Sequence, residues 1–281
     1  MEELKIITKI YNHFISQVNN NKIEIELRIK SIVGTVQDDP FDTWVEGNIK
    51  QALPEYEVVH SGSLTTPDLI IRDTRNGAIV GLEIKKLIQK PNGADPRGMT
   101  LDYNSCLPCG SALIKVGIET IEIPCFYLFA LLSPDSTSIV TLIIMDGDFL
   151  NYDFNLHKQA KFDNISEYNH GPYGEGSVRH RKMYTYPNPL NYKLDFFYLR
   201  KILVAKKYDV EKNENLLNAT EIIIREDKYQ NEFYYVILDK ISSKECLSTD
   251  GLPILRNVFE ACKVRKEKER VVSMPYLNPN D

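Results

Sequence analysis

Two apolar runs, at residues 125–132 and 138–145, constrain the fold more than any other feature of the sequence. Both are almost continuously apolar, so both faces of each predicted strand must be covered, as in the centre of a sheet between helices. Apolar residues at helical spacing before residue 55 can supply such a cover. We therefore expect an α/β fold in which a central mixed β-sheet is flanked by helices.

The N-terminal part of the chain is predicted to be helical. Apolar side chains recur at helical spacing over residues 4–15, and a second helical stretch is predicted at about 23–33. A third helix is predicted to begin after Pro40, to carry Glu46 and to end before Pro54.

From residue 56 the apolar period changes from that of a helix to that of a strand. Strands are predicted at 56–60, 69–72 and 79–85, and Asn76-Gly77 between the last two is typical of a tight hairpin. The later predicted elements are two strands at 219–224 and 232–238 and a helix near 252–263.

We predict one domain, residues 1–281, with a catalytic core at about 40–148. Residues 150–195 are rich in Tyr, Asn, His, Gly and Pro and lack clear periodicity. A stretch of this length is more than a connection, because loops of this size are usually functional or disordered. We interpret it as an inserted recognition region.

Composition narrows the class of protein. The formal net charge of -5 gives no global attraction to a polyanion, so nucleic-acid binding would depend on local clusters of positive charge. The 5 cysteines are interpreted as reduced thiols. No apolar run approaches the roughly 20 residues of a membrane span, and residues 1–5 lack the order of a secretory signal. We therefore expect a cytoplasmic protein with no membrane partner.

The chemistry-bearing segment is Thr66-Pro67-Asp68, followed by the hairpin and then Glu83-Ile84-Lys85. Side chains alternate along a strand, so Glu83 and Lys85 point to one face while Ile84 points to the other. Pairing of the two strands through the hairpin would bring Asp68 close to Glu83. Two carboxylates and one ammonium group would then share a small patch.

Two carboxylates held close repel each other, and a hard cation with oxygen ligands relieves this repulsion. Magnesium suits the patch because it takes one or two carboxylates and keeps several waters. The backbone carbonyl of Ile84 is a natural third ligand beside Asp68 and Glu83. Lys85 has two alternative roles: with a pKa lowered by burial it would help to deprotonate water, and as a cation it would stabilise charge on phosphorus.

The Pro67-Asp68 pair, 14 intervening residues and then Glu83-Ile84-Lys85 resemble the motif of the PD-(D/E)XK nuclease superfamily. The order of helix, hairpin and Glu-x-Lys strand is similar to the restriction-endonuclease-like core. The resemblance implies that Asp68 and Glu83 bind Mg²⁺, that Lys85 is catalytic and that an acidic residue of the preceding helix assists. Glu46 matches that last position.

An Asn104-Ser105 segment near Pro108 resembles type II restriction endonucleases of the superfamily more than its repair members. The expected function is then Mg²⁺-dependent cleavage of both strands of double-stranded DNA at a short specific sequence, by a homodimer. The resemblance also implies a cognate DNA methyltransferase as genetic partner. The alternatives are a structure-specific or repair nuclease with the same core, and a DNA-binding protein that does not cleave.

A basic stretch in the proposed recognition region comprises Arg179, His180, Arg181 and Lys182. Such a run is usually a solvated face, but arginine is also the side chain that reads guanine in the major groove. We interpret the stretch, with Asn104 and Ser105, as DNA-binding. Lysines that could add phosphate contacts are Lys201, Lys206 and Lys207.

Simpler interpretations exist for several of these residues. Glu-x-Lys on an exposed strand is usually a solvated face, and Glu46 could be an ordinary helix-surface charge. Cys106-x-x-Cys109 could bind zinc, although no second Cys/His pair stands at suitable spacing. His60 could point to the site or simply lie on the surface.

Overall fold

The computed structural model describes residues 2–28, 39–61, 67–92, 99–102, 110–148, 182–186, 201–213, 221–224, 233–238 and 271–274. The helices are α1 (Glu2–Ser16), α2 (Pro40–Ala52) and the short α3 (Lys207–Glu211). None of the helices in these ranges is long and apolar enough to cross a membrane.

The strands are β1 (Ile23–Glu24), β2 (Tyr56–His60), β3 (Leu69–Asp73), β4 (Ile79–Ile88), β5 (Met99–Asp102), β6 (Ser111–Val116), β7 (Glu119–Leu132), β8 (Ser138–Asp146), β9 (Lys182–Tyr186), β10 (Lys201–Lys206), β11 (Glu221–Ile224), β12 (Phe233–Leu238) and β13 (Val271–Met274).

Most strands form one sheet in the order β11-β12-β10-β8-β7-β4-β3-β2. Strands β1, β6 and β13 join it outside this path, and β5 pairs with β9 in a separate two-stranded ribbon. Pairing is parallel between β4 and β7 and between β8 and β10, and antiparallel between β3 and β4. The expectation of an α/β fold with a mixed sheet is therefore confirmed.

Both faces of the central strands are covered. On one face, even-numbered residues of β4, such as Leu82 and Ile84, pack in a core with Phe14 of α1 and Phe41 of α2. On the other face a smaller cluster joins Ile70 of β3 to side chains of β6 and β7. This two-sided burial agrees with the continuous apolar runs of β7 and β8.

The β3–β4 hairpin is wider than the tight turn predicted from Asn76-Gly77. Arg72 is the last residue of β3 paired across the hairpin, opposite Ile79. Gly77 has a φ of 75°, a left-handed conformation that favours glycine, and its N–H donates to the carbonyl oxygen of Asp73 at 2.8 Å. The extra residues do not change the strand order on which the site depends.

The second predicted helix, at about 23–33, is wrong over its described part. Residues 23–24 form β1, with Ile23 opposite Ile139 of β8, and residues 25–28 are neither helix nor strand. Asn20 and Asn21 have positive φ values of 49° and 62°, which turn the chain before β1. Ile23 is fully buried against the sheet, so tertiary pairing overrides the local helical pattern.

The other predicted elements match more closely. Helix α1, helix α2 and strands β2, β3, β4, β7 and β8 confirm the elements predicted over the same parts of the chain, and β11 and β12 confirm the two later strands. Strands β5, β6, β10 and β13 were not predicted, and β9 lies in a stretch that was interpreted as a loop. The predicted helix near 252–263 lies outside the described residues.

Candidate active site

The site begins with alternation along β4. Because Leu82 and Ile84 pack toward the helices, Glu83 and Lys85 extend from the opposite face of the strand. Glu83 is only 5% exposed, so the interpretation of Glu83 as part of a solvated face is wrong. A carboxylate buried to this extent requires charge partners or hydrogen bonds.

Asp68 lies immediately before β3, where that strand begins beside β4. Its Oδ2 accepts a hydrogen bond of 2.7 Å from the backbone N–H of Ile84. Leu69 pairs with Leu82, so the same register places Asp68 opposite Glu83. The structure thus brings Asp68 and the Glu83-Ile84-Lys85 segment together at one end of the hairpin, which we call the open end. It comprises Asp68 and residues 83–86 together with Asp39 and Asp42 of the α2 N-terminus.

Lys85 forms an ion pair with Glu83. Burial favours the neutral amine, but the negative charges of Glu83, Asp68 and Asp42 outweigh it and raise the pKa of Lys85. Lys85 is therefore an ammonium group at neutral pH. Of the two roles considered for this lysine, the charge-stabilising one matches the direction of this shift in the metal-free protein.

Asp68 has the opposite balance. Burial raises the pKa of Asp68, helped by the negative charge of Asp39. Lys85, the hydrogen bond from the Ile84 N–H and the charge of His60 oppose the rise without cancelling it. The carboxylate of Asp68 is therefore short of positive charge in the absence of a cation.

Asp42, in the first turn of α2, is a site residue that the sequence did not reveal. Burial, with the negative charges of Asp68 and Asp39, raises the pKa of Asp42 to about 7, although Lys86 and Lys85 oppose the rise. Asp42 lies four residues before Glu46, so both lie on one face of α2. The spacing of Asp42 and Glu46 was therefore a usable sequence signal for a second candidate carboxylate. It does not show which of the two helical turns lies near β3 and β4.

Asp39 and Lys86 tie the start of α2 to β4. Asp39 is the N-cap of α2, and its side chain accepts a hydrogen bond of 2.8 Å from the N–H of Phe41. The same carboxylate forms an ion pair with Lys86, the residue that follows Lys85. With the start of α2 held beside β4 in this way, Asp42 lies near Asp68.

Glu46 is placed one turn further along α2. It forms an ion pair of 2.7 Å with Lys50, four residues later, and its side chain is 19% exposed. This arrangement suits a helix-surface pair as well as a role at the site, so a catalytic role for Glu46 stays a prediction. His60 ends β2 and is exposed, and it is one of the groups that oppose the rise in the pKa of Asp68.

The predicted DNA-binding residues lie almost entirely outside the described residues. This holds for Asn104, Ser105, Arg179, His180 and Arg181, and also for Cys106 and Cys109 of the zinc alternative. Lys182 is the first residue of β9, where its partner across the ribbon is Asp102 of β5. The chain therefore leaves β5 toward Asn104 and enters β9 from Arg181 at the same end of the ribbon.

The predicted phosphate contact of Lys201 is wrong. Lys201 is 2% exposed, and its Nζ donates to the carbonyl oxygens of Asn21 and Val140. A buried ammonium used in this way ties β10 to neighbouring segments and is closed to a ligand. Lys206 forms an ion pair with Asp148.

The donor set at the open end suits a small hard cation. Asp68 and Glu83 offer carboxylate oxygens. The N–H and carbonyl of a strand residue point to the same edge, so the Ile84 carbonyl lies on the edge of β4 where the Ile84 N–H meets Asp68. Mg²⁺ takes one or two carboxylates and fills its other positions with water. Within the described ranges no group of three or more His, Cys, Asp or Glu side chains is arranged to hold a metal ion.

Comparison of the chain with protein-family models, with curated proteins and with solved structures gave no match.

Proposed function

We propose that this chain is a Mg²⁺-dependent nuclease of the PD-(D/E)XK superfamily, and specifically a type II restriction endonuclease. The observation that carries the proposal is the meeting of Asp68 with Glu83, Ile84 and Lys85 at one end of two paired strands, joined by the hydrogen bond from Ile84 to Asp68. The central mixed sheet with α2 beside the site is compatible with a restriction-endonuclease-like core.

Each residue has a distinct part in the proposed reaction. Asp68, Glu83 and the Ile84 carbonyl would hold Mg²⁺, and bound Mg²⁺ supplies charge neutralisation and a more acidic water. Hydrolysis forms a bond from a water oxygen to phosphorus and breaks the bond to the leaving oxygen, which takes up a proton. The Lys85 ammonium stabilises the negative charge that grows on the phosphoryl oxygens. Asp42 adds a carboxylate from the helix side.

Sequence specificity belongs to the segments around the β5–β9 ribbon in this proposal. Asn104 and Ser105 follow β5, and Arg179, His180 and Arg181 precede β9, where Lys182 pairs with Asp102. Because both segments adjoin one end of the ribbon, they are suited to contact the same stretch of DNA. Arginine and asparagine supply bidentate contacts to guanine and adenine in the major groove.

Cleavage of both strands of a symmetric site favours a homodimer, because protein symmetry then mirrors DNA symmetry. A cognate DNA methyltransferase, as genetic partner, would protect host DNA. The proposal places the enzyme in the cytoplasm.

Digestion of supercoiled plasmid with Mg²⁺ tests the proposal. A restriction enzyme gives discrete bands, and sequencing of their ends gives the recognition site. Nicks or smears would indicate a structure-specific or repair nuclease instead. Retained DNA binding without cleavage would indicate a non-cleaving DNA-binding protein and would contradict the proposal.

Glu46 and Asp42 offer a matched pair of variants, because they lie on one face of α2. Glu46→Gln and Asp42→Asn each remove one carboxylate charge with little change in shape. If Asp42 is the helix carboxylate of the site, Asp42→Asn slows cleavage more than Glu46→Gln. The reverse order would return the role to Glu46.

A further inference from the structure

Gly81 of β4 lies beneath the proline that precedes Asp68. A Cβ at position 81 would stand 2.6 Å from Cγ of Pro67 and 2.8 Å from Sγ of Cys125. Real Cβ atoms essentially never come so close to other heavy atoms. The proline ring is rigid, and Cys125 is 1% exposed on β7, so neither neighbour can move aside easily. Only a residue without a side chain leaves room for the ring.

Pro67 is bonded directly to Asp68, so the position of the ring controls the position of the carboxylate. That carboxylate reaches back to β4 and accepts the 2.7 Å hydrogen bond from the N–H of Ile84. Gly81 and Ile84 are three residues apart on the same strand. Strand β4 therefore contacts the Pro67-Asp68 pair at two points, once by packing and once by hydrogen bonding.

We propose that Gly81 is a positioning residue: the space above its backbone, which Pro67 and Cys125 line, seats the Pro67 ring, and this seat holds the Asp68 carboxylate on the Ile84 N–H. The consequence for cation binding and cleavage rests on the function proposed above. The placement of Asp68 is a separate property that can be measured without metal or DNA.

Amide hydrogen exchange of the full chain, read at Ile84 by NMR, reports the hydrogen bond to Asp68 directly. Gly81→Ala should displace the ring, and Pro67→Ala should remove it, so in each variant the Ile84 amide exchanges at least about tenfold faster than in the wild type. Gly47→Ala is the matched control. Gly47 lies in α2, and an added Cβ there meets nothing within 4 Å.

The double variant Gly81→Ala/Pro67→Ala separates positioning from general damage. Without the ring, the atoms nearest to the added methyl group are Sγ of Cys125 at 2.8 Å, which is not bonded to Asp68, and the Cβ of residue 67 at 3.1 Å, so the closest clash with residue 67 is relieved. The two substitutions should therefore act on Ile84 exchange non-additively, with the double variant close to Pro67→Ala alone. If Gly81→Ala does not fold, Pro67→Ala still reports whether the ring holds Asp68.

Mn²⁺ titration by calorimetry gives the second readout. Gly81→Ala and Pro67→Ala should weaken Mn²⁺ binding about 10-fold or more, as support residues of metal sites do, while Gly47→Ala leaves it unchanged. Wild-type Ile84 exchange in both variants, or full additivity in the double variant, would overturn the positioning role. Absence of plasmid cleavage by the wild type would instead overturn the proposed function and leave the exchange result standing.

Discussion

The two ends of the β3–β4 hairpin carry acidic residues in opposite electrostatic conditions. At the turn, Asp73 accepts hydrogen bonds of 3.0 Å and 2.7 Å from the guanidinium of Arg75. Arg75 thereby lowers the pKa of Asp73. At the open end, burial and neighbouring carboxylates raise the pKa values of Asp68 and Asp42. The turn therefore carries an acidic residue with a matching positive charge, whereas the acidic residues at the open end have too little positive charge beside them.

In the proposed function this difference separates a structural use of charge at the turn from a cation-binding use at the open end. The Asp73–Arg75 pair holds the turn together, and its carboxylate needs no further cation. At the open end the positive charges of Lys85 and Lys86 do not offset the burial of Asp68 and Asp42, whose pKa values stay raised, and the proposed Mg²⁺ would add the missing positive charge. Substitutions at the two ends should consequently affect different measurements.

The largest effect is expected for Asp68→Asn. The amide oxygen can still accept the Ile84 hydrogen bond, but a charged cation ligand is lost. Plasmid cleavage should fall on the order of a thousandfold, because a bound metal contributes several kcal/mol of transition-state stabilisation. Thermal unfolding should show a stability at or above that of the wild type, since a carboxylate whose charged form is disfavoured by burial is removed. Cleavage at the wild-type rate would show that the site is misassigned.

Lys85→Met should have the next largest effect. It removes the ammonium group that stabilises phosphoryl charge, so the maximal cleavage rate should fall by about 100-fold. Mn²⁺ affinity measured by calorimetry should persist, because the oxygen ligands remain. Wild-type cleavage by Lys85→Met at saturating metal would contradict the assigned role, and so would a loss of Mn²⁺ binding.

Asp42→Asn tests the pH dependence of the open end. The pKa of Asp42 rises from 3.8 to about 7 on folding. Protonated Asp42 therefore contributes stability to the metal-free protein, and this contribution is fully present below pH 3.8. It is lost as the pH rises toward 7. Solvent screening reduces the effect to about 1–3 kcal/mol. Urea unfolding at several pH values should show this decline in the wild type relative to Asp42→Asn. Parallel pH profiles would contradict the raised pKa.

The smallest effect is expected at the turn. Asp73→Ala removes the ion pair with Arg75 and the acceptor of the hydrogen bond from the Arg75 backbone N–H, and should cost about 1–2 kcal/mol of stability at pH 7. Because the folded pKa of Asp73 is lowered, this difference should shrink as pH falls below 3.8. Mn²⁺ affinity should not change. If Asp73→Ala lost Mn²⁺ binding, the proposed distinction between the turn and the open end of the hairpin would be wrong.

Much of this arrangement was predictable because it depends on local sequence. Alternation in β3 and β4 sets which side chains share a face, and the short connection between the strands fixes their pairing, so Asp68, Glu83 and Lys85 were found together. Asp42 was missed because its role depends on how α2 docks against β4 through Asp39 and Lys86. That docking involves residues 47 positions apart, which no local pattern encodes.

The wrong prediction of a helix at 23–33 also comes from a contact between residues far apart in the sequence. Ile23 pairs with Ile139 of β8, far along the chain, and that contact decides the local conformation. Lys201 likewise resembled a surface lysine, and only the positions of Asn21 and Val140 show that its charge is used inside the fold. Burial of a charge depends on tertiary neighbours that sequence spacing does not reveal.

Anomalous diffraction from crystals soaked in Mn²⁺ tests the central claim most directly. We expect a peak within coordination distance of the Asp68 and Glu83 carboxylates and the Ile84 carbonyl, and no peak at Asp73. In crystals of Asp68→Asn the first peak should disappear. A wild-type protein with no peak at the open end, or with its peak at the turn, would contradict the assignment of the open end as a cation site.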